Sequence, residues 1–573
     1  MKKVKLFSFA LAALMLGACS SEDGIDNGGQ GTVLPGEKGY ISLAINLPTT
    51  PSTRANDNFD DGLPVEYAVN NATLLIFEGT DEASAKFAGG YDLGTITPNT
   101  VGGNITSTFK VTKEIKKPVN GDLYALVVVN RGDVLTTEDQ GATWKLNGTE
   151  LSALTTLSAF NATAQEIAAE KLYDTTDDGN GFFMTNAPLY SVPGGTVQPS
   201  NGDLSTLTLI NAENVYTTAA EAEANPAASV YVERAVAKVT VNGTNGNLGN
   251  NAGMTYTISG WTFDVTNKKT YLVRNMTDAN TWWNYNVAGD YRFVGSAAVG
   301  PNLYRTYWGV DPNYSSYIAG DFNIFAGQTP ADLNPVNGNG YCLENTFDVD
   351  NQNQNQTTRV IVAATLNAGS TFYILDNDKG KIWSKTEAED AVKAEYLGNQ
   401  AVIAALTANL DGEDKKITGD DLTVTFDKAA GDLTVTMIEI SADKAGDFKG
   451  GEIPDALTPG TEANNAILAA VNAGKKVSCY ANGVAYYPVM IRHFDDNQTP
   501  WSNVEYGGNE NNFLGRYGVL RNNWYEINVT GIKDIGYADV PDVYGTPDDP
   551  MESYISVEIN VLSWAKRSQN VEL

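Results

Sequence analysis

Residues that could support catalysis are scarce in this chain. Its single histidine, His493, lies in the strand-like stretch 489-VMIRHF. Nucleophilic catalysis with histidine needs a nucleophile and an orienting group beside it, and His493 has no candidate partners. Histidine-based metal ligation is effectively excluded, and no phosphate-binding or dinucleotide-binding glycine motif follows a strand. We therefore expect no enzyme activity, no metal and no cofactor.

Three weaker signals concern binding. The run 376-DNDKGK begins like a calcium loop but lacks the closing glutamate, so a hairpin turn is the better interpretation. The triplet 131-RGD follows a strong strand and could belong to an adhesive loop. Two aromatic clusters could stack on sugars, although such clusters more often fill a core: Trp282, Trp283, Tyr285 and Tyr304, Tyr307, Trp308. A glycosidase needs only two carboxylates, so the sequence does not exclude one, but no specific residue supports it.

The N-terminus indicates export. Lys2, Lys3 and Lys5 precede a short apolar run that ends in 16-LGAC. A small residue before a cysteine at this place resembles a bacterial lipobox, which implies cleavage before Cys19 and attachment of lipid to its thiol. No later stretch approaches the ~20 apolar residues of a membrane span, so we expect the lipid to be the anchor.

The remaining cysteines are Cys342 and Cys479. In an oxidising compartment the two could form one disulfide, and two buried free thiols are about equally compatible with the sequence. Their separation does not match a metal-binding pair.

An isolated arginine marks a candidate cleavage point. Arg54 is the only Lys or Arg between Lys38 and Lys86, and it lies in the polar loop 48-PTTPSTRANDNFDDG. An exposed loop of this kind is a preferred site of proteolysis. Cutting the Arg54–Ala55 bond with an arginine-specific protease would separate everything before it from the rest of the chain.

Two strand-like segments at opposite ends of the chain are nearly identical. They read 40-YISLAINL and 554-YISVEINV, and only Ala44 and Glu558 differ in kind. Both place four apolar residues on one face, as alternation in a strand requires: Ile41, Leu43, Ile45, Leu47 and Ile555, Val557, Ile559, Val561. Two edge strands could converge on such a pattern. Matched Tyr, Ser and Asn favour the interpretation that both fit one groove, the first being removable and the second, with Trp564, being a donor from another copy.

Composition indicates the class of fold. The chain has 573 residues, 55 glycines, 28 tyrosines and a net charge of −31. Recurrent alternating segments bounded by Gly, Asn and Asp predict a mainly β protein of two β-sandwich domains with few short helices. The helix-like stretches are 162-ATAQEIAAEKLYD and 386-TEAEDAVKAEYLGNQAVIAALTANL. So negative a surface repels phosphate backbones, and nucleic acid is not expected as a partner.

Changes in composition suggest domain boundaries. The segment 218-TAAEAEANPAAS interrupts the strand pattern, and 538-ADVPDVYGTPDDPME is a poor strand that could reach on the order of 50 Å as an extended arm. The predicted units are a signal peptide (1–19), a tether with the removable strand (20–54), two sandwich domains (55–229 and 230–537), and a flexible arm with the donor strand (538–573).

Taken in order, several motifs resemble the fimbrillins, or type V pilins, of Bacteroidia-type bacteria, and most of all the shaft subunits of the short (minor) fimbriae. They are 16-LGAC, the Arg54–Ala55 loop, 124-YALVVVN, 232-VERAVAKVTV, 486-YYPVMIRHF, 515-GRYGVLRNNWYEINVTGI and 555-ISVEINVLSWAKRSQNVEL.

This resemblance implies transthyretin-like sandwich topology, export as an outer-membrane lipoprotein and maturation by an arginine-specific protease. It also implies polymerisation by exchange of the C-terminal strand into a surface fimbria that supports adhesion. The expected partners are other copies of the chain and accessory tip and anchor subunits. The arm 538–552 is shorter than expected for the shaft subunits. The alternative function is a monomeric surface lipoprotein that binds glycans through its aromatic clusters.

Overall fold

The computed structural model describes residues 33–47, 63–96, 108–119, 121–163, 166–176, 179–193, 199–251, 253–277, 282, 294–300, 302–325, 328, 330, 332–494, 499, 513–548 and 555–563. Cys19, Arg54, Ala55, Trp564 and most of the N-terminal tether lie outside these ranges, and so do Trp283 and Tyr285.

Strands dominate the described part of the chain, as the alternating pattern predicts. The strands of its first part are β1 Lys38–Asn46, β2 Ala72–Gly79, β3 Lys86–Gly94, β4 Thr108–Lys116, β5 Asp122–Val129, β6 Leu135–Glu138, β7 Thr143–Leu146, β8 Thr149–Glu150, β9 Met184–Asn186, β10 Leu189–Tyr190, β11 Leu204–Ser205, β12 Thr208–Ile210 and β13 Ala228–Arg234.

The strands of the second part begin at Val236, two positions after the last residue of β13. They are β14 Val236–Gly243, β15 Gly246–Asn247, β16 Thr255–Asp264, β17 Thr266–Asn267, β18 Val294–Gly300, β19 Leu303–Thr306, β20 Phe322–Asn323, β21 Asn339–Leu343, β22 Arg359–Leu366, β23 Phe372–Leu375, β24 Leu422–Phe426, β25 Gly431–Leu433, β26 Val435–Ile440, β27 Val477–Tyr480, β28 Val484–Met490, β29 Asn523–Ile532 and β30 Ile555–Ser563.

Helices are short in the first part and longer in one segment of the second. They are α1 Pro64–Tyr67, α2 Leu157–Thr163, α3 Ala219–Ala224, α4 Lys385–Gly398, α5 Gln400–Asn409 and α6 Glu462–Gly474. The helix-like stretch from residue 162 differs from the prediction, because only the end of α2 and a single turn at Ala169–Lys171 are helical among its described residues.

The first sandwich is one continuous sheet that folds around its own core. Its strand order is β3-β2-β5-β9-β13-β1-β4, with β12 also paired to β5. Side chains from both ends of this sheet enter the same apolar core, for example Leu43 of β1 and Leu74 of β2. The strand β1 is therefore an internal strand, and its loss would open the core.

The second sandwich consists of two facing four-stranded sheets. One has the order β21-β14-β29-β30 and the other β15-β16-β22-β28. Alternate residues of both sheets, such as Val239, Trp261 and Tyr525, form a second apolar core. The prediction of a mainly β chain with two sandwich domains is confirmed.

Residues between β22 and β28 add a helical layer that the sequence pattern only partly predicts. The helices α4, α5 and α6 pack with β23 to β27 around a separate core that includes Tyr396 and Val471. The long helix-like stretch is two helices rather than one, because Asn399 leaves the helical conformation and its side chain accepts a hydrogen bond from Ala401 N. The same residue thus ends α4 and caps α5.

The two sandwiches meet where β13 passes into β14. The strand β13 still pairs within the first sheet up to Arg234, so the change of sheet occurs at Ala235 rather than at the proposed boundary between 229 and 230. The segment that interrupts the strand pattern and is predicted to mark the boundary forms the capped helix α3, whose Thr218 hydroxyl accepts from Glu221 N. The alternation of strand residues continues from β13 into β14. A change in composition therefore does not mark the true boundary between the two sandwiches.

A buried ion pair joins the sandwiches beside α1. Glu66 Oε1 lies 2.9 Å from Lys238 Nζ and accepts a 2.6 Å hydrogen bond from the Tyr341 hydroxyl. The Arg234 Nε donates to the backbone oxygen of Glu66 at 2.8 Å. Because a charge buried without its partner is costly, this cluster fixes α1 against the second sandwich.

Candidate strand-exchange site

The strand β1 occupies a slot with a partner on each side. It runs parallel to β13 and antiparallel to β4. Three inward side chains of β1 and that of Leu47, which directly follows the strand, are at most 4% exposed: Ile41, Leu43, Ile45 and Leu47. Since β4 ends the order of the sheet and pairs only with β1 there, removal of β1 would leave two unpaired backbone edges and an open core. We call this place between β13 and β4 the β1 slot.

The outer face of β1 carries the polar residues. The Tyr40 hydroxyl donates to Glu114 Oε2 at 3.2 Å, and Glu114 also lies 2.6 Å from Lys38 Nζ. Asn46 accepts from the Thr108 hydroxyl at 2.9 Å and donates to Val230 O at 3.3 Å. These contacts fix the register of the strand between its two neighbours.

The helix α3 packs over the outer face of β1 and β4. Ala222 of this helix is buried, as are Ser42 and Ala44 of β1. The Ser42 hydroxyl is buried without a hydrogen-bond partner among the described residues. The segment proposed as a domain boundary is therefore part of the wall of the β1 slot.

The C-terminal strand β30 lies on its own second sandwich in this chain. It pairs antiparallel with β29 and ends that sheet, so it has one neighbouring strand where β1 has two. Val557 is buried in the second core, and Ile559 packs against it. The tail proposed as a donor thus forms fewer backbone contacts here than the β1 slot offers.

The arm before β30 is packed through Asp548 and is not a free tether from residue 538. Arg359 Nη2 donates to Pro541 O at 2.6 Å, and Asn355 N donates to Tyr544 O at 3.1 Å. The Thr357 hydroxyl donates to the buried Asp548 carboxylate at 3.2 Å. Prolines and acids predict a poor strand correctly, but backbone and side-chain groups of 352–359 still form hydrogen bonds with this segment.

The two sandwiches repeat one arrangement of four strands. The order β9-β13-β1-β4 has the same sequence of antiparallel, parallel and antiparallel pairs as β21-β14-β29-β30. By position, β1 therefore corresponds to β29, and β30 corresponds to β4. The likeness in sequence instead links β1 with β30. Equivalent places in two similar domains do not account for it.

The candidate histidine is structural. His493 is buried, with Nδ1 2.8 Å from the Tyr525 hydroxyl and Nε2 3.1 Å from Tyr307 O. Burial lowers its pKa to about 4, so the ring is neutral near pH 7. Both ring nitrogens have partners, and no nucleophile is among them.

The weaker binding signals also have structural roles. Trp282 and Trp308 are 0% exposed and cannot stack on a sugar. Arg131 of the RGD triplet pairs with Asp92 at 2.7 Å. Asp376 accepts from Lys475 Nζ and Lys476 N, as a residue of a turn does.

The two cysteines are free thiols in separate cores. Cys342 lies in the second sandwich core and Cys479 in the helical layer, so the disulfide left open by the sequence is not formed. Burial raises the pKa of both thiols, which keeps them unreactive.

Neither a metal nor a membrane helix is indicated by the described residues. They contain no cluster of three or more His, Cys, Asp or Glu side chains that could hold a metal ion. None of their helices has both the length and the apolar character required to cross a membrane.

The sequence pattern missed one wall of the β1 slot. The strand β4 reads 108-TFKVTKEIK, and its outer face carries Lys110, Glu114 and Lys116. These charges lower its apolar content, so it resembles a polar loop. The alternation of Phe109, Val111 and Ile115 is the signal that could have identified it.

Comparisons with known proteins find one matching family model and several similar solved structures. Residues 478–570 match the family described as major fimbrial subunit protein type IV, fimbrillin, C-terminal. A fimbrilin from Porphyromonas gingivalis is 14% identical and covers 92% of this chain and 99% of its own, with a TM-score of 0.36. The tip fimbrial protein Mfa3 of the same organism, with a C-terminal truncation, is 10% identical over 91% of this chain and 99% of its own, with a TM-score of 0.31. No curated protein matches the chain.

Proposed function

We propose that this chain, whose residues 478–570 match the fimbrillin C-terminal family, is the polymerising shaft subunit of a cell-surface fimbria. Its role is structural and supports adhesion. Its partners are other copies of itself, and accessory tip and anchor subunits end the polymer. A protein of this kind needs no catalytic residue and no cofactor.

The proposal rests on one observation: β1 and β30 are nearly identical in sequence but have different numbers of neighbouring strands. The β1 slot offers two backbone ladders and a closed core, whereas β30 has one ladder at the end of a sheet. A strand that fits both places gains hydrogen bonds by moving from the second to the first once β1 has left the first. Filling the slot of one copy with the tail of another gives a head-to-tail contact that can repeat as a filament.

Cleavage after Arg54 makes the slot available. The loop of Arg54 connects the end of β1 to α1, and the Glu66 cluster holds α1 on the other side of the cut. The strand β1 then becomes a separate peptide, held only by its packing and its two ladders. Its four inward side chains contribute roughly 6–12 kcal/mol together, so it leaves only when an equivalent strand replaces it.

The tail has an equivalent set of side chains. Ile555, Val557, Ile559 and Val561 match the inward residues of β1 in number and nearly in size. Within the slot, exchange is therefore close to balanced both in apolar burial and in backbone ladders, because the tail replaces the two ladders that β1 forms. Trp564 follows this segment and would extend the contact beyond the stretch that corresponds to residues 40–47.

Export precedes these steps. Lipid on Cys19 anchors the precursor in the outer membrane, and cleavage after Arg54 separates residues 19–54, with the lipid, from the mature subunit. This order keeps the slot filled until the protein has reached the surface. The predicted first residue of the mature protein is Ala55.

The test is controlled cleavage of the purified precursor with an arginine-specific protease. We expect cleavage after Arg54, followed by a ladder of polymers on mild detergent gels. The variant Arg54→Lys keeps the charge but resists this protease and should stay monomeric until trypsin is added. Truncation before Tyr554 should abolish the ladder, and polymers formed without residues 554–573 would refute the donor assignment.

A further inference from the structure

The outer side of the β1 slot carries charged residues of β4, whereas its inner side adjoins the apolar core. Strand β4 faces the outer residues of β1 with Thr108 opposite Asn46, Lys110 opposite Ala44, Thr112 opposite Ser42 and Glu114 opposite Tyr40. Three of these four β1 residues recur in the tail as Tyr554, Ser556 and Asn560. The fourth does not, since the tail has Glu558 where β1 has Ala44.

The charge of this one substitution matches the slot. Lys110 is exposed on β4, and no described carboxylate lies within salt-bridge distance of it. Opposite residues of an antiparallel pair have Cβ atoms about 4.5–5.5 Å apart, which a Glu and a Lys side chain bridge easily. The carboxylate of Glu221, in the helix above, is held by Thr217 and Thr218 at the helix N-terminus.

Neither the position of the tail on β29 nor a shifted register in the slot places Glu558 opposite Lys110. On its own sandwich, the backbone register sets Glu558 opposite the uncharged Asn528. In the slot, a slip of two residues keeps the apolar face inward but sets Glu558 opposite Thr108 or Thr112. Only the register in which Tyr554 replaces Tyr40 opposes the two charges.

The space in the slot also limits which residue of the tail can be the first to enter it. A Cβ atom on Gly39 would lie 2.9 Å from the backbone oxygen of Tyr216 and 2.6 Å from Val215 Cγ1. The tail has Ser553 at the corresponding place. The incoming chain must therefore turn out of the slot before Tyr554, which is where the likeness between the two segments starts.

We propose that Lys110 pairs with Glu558 of a neighbouring copy and thereby fixes the register and identity of the strand that enters the β1 slot. This assignment rests on the proposed strand exchange. The partner is the C-terminal strand of another copy of this chain. The displaced strand β1 has Ala44 where the tail has Glu558, so it cannot form this pair and binds the slot less tightly. Because the Lys110 side chain is exposed, the effect of the pair falls as salt rises.

Charge reversal tests the pair. In the full chain cut after Arg54, Glu558→Lys or Lys110→Glu alone should slow polymer growth about three- to tenfold, because each opposes like charges. The double variant E558K/K110E should recover to within about twofold of the unchanged protein. The matched control is E558K/K116E, which makes the same charge change on the same face of β4, and it should not recover.

Cysteine trapping reports the register directly. Glu558→Cys with Lys110→Cys should give disulfide-linked oligomers on denaturing gels after mild oxidation, since opposed strand residues suit a disulfide. Glu558→Cys with Lys113→Cys, on the inner side of β4, should not. The native thiols Cys342 and Cys479 are buried and do not interfere.

The outcomes separate this proposal from the proposed function. If the cut, unchanged protein forms no polymer, strand exchange itself is wrong. If polymers form and require residues 554–573, but charge reversal has no effect or the double variant is not rescued, the Lys110–Glu558 pair is wrong. Cross-linking of the Lys113 variant in place of the Lys110 variant would also overturn the register.

Discussion

At the scale of single residues, buried polar groups set the behaviour of this chain with pH. His493 is enclosed by Tyr525 and Tyr307, and burial lowers its pKa to about 4. Asp311 is also buried, and burial raises its pKa to about 7. The two groups act in opposite directions, since the folded state resists charging of both.

The histidine gives a testable pH dependence. Between about pH 6.5 and 4 the unfolded chain binds a proton at residue 493 that the folded chain does not. The free energy of unfolding should therefore fall as pH falls through this window, by on the order of 3 kcal/mol from this group. His493→Gln should remove that part of the dependence in urea titrations at pH 7 and pH 4.5.

Comparison of the two proteins at each pH cancels the other titrating groups, Asp311 included. An unchanged slope in the variant would mean that His493 is charged in the folded protein. That result would contradict the enclosed, neutral ring.

At the scale of elements, two strands of nearly one sequence have different structural importance. The strand β1 is internal to its sheet, whereas β30 ends another. Strand propensity and alternation are the same for both, so a sequence pattern cannot distinguish them. The difference arises from neighbours contributed by distant parts of the chain, β4 and β13 for the first strand and β29 for the second.

Shortening a buried side chain should destabilise the uncut precursor when it lies in β1 and the polymer when it lies in β30. Leu43→Ala should destabilise the uncut precursor by about 2–5 kcal/mol, because Leu43 is buried in the first core, and should not affect polymers from which β1 has gone. Val557→Ala should weaken the polymer by a similar amount. Urea melts of uncut protein and of isolated polymer provide the measurement.

Each truncation is the control for the other. A polymer weakened by Leu43→Ala would show that β1 remains in place after cleavage. A polymer insensitive to Val557→Ala would show that the tail does not enter a core.

At the scale of the whole molecule, charge opposes assembly. The chain carries a net charge of −31, and a polymer brings such copies into contact. Like-charged surfaces repel over about 30 Å at 0.01 M salt and over about 8 Å at physiological salt. The proposed assembly of so acidic a protein would therefore depend on screening as well as on its strands.

Polymer growth after cleavage should accelerate when salt is raised from about 0.01 M to about 0.15 M, because the long-range repulsion is screened. Light scattering during growth would measure this. The benefit of the Glu558–Lys110 pair, taken as the rate ratio of unchanged protein to K110E, should shrink over the same range. A rate that falls with salt would mean that attraction between charges, and not burial, drives assembly.

The sequence by itself determined the mainly β class, the likeness of 40–47 to 554–561, the isolated Arg54 and the single histidine, His493. Periodicity and local composition suffice for these properties. Only the tertiary structure decided that β1 is internal, that β4 with Lys110 forms its wall, that the arm is packed through Asp548, and that the cysteines lie in different cores. Each of those depends on contacts between residues far apart in the chain, which no local pattern records.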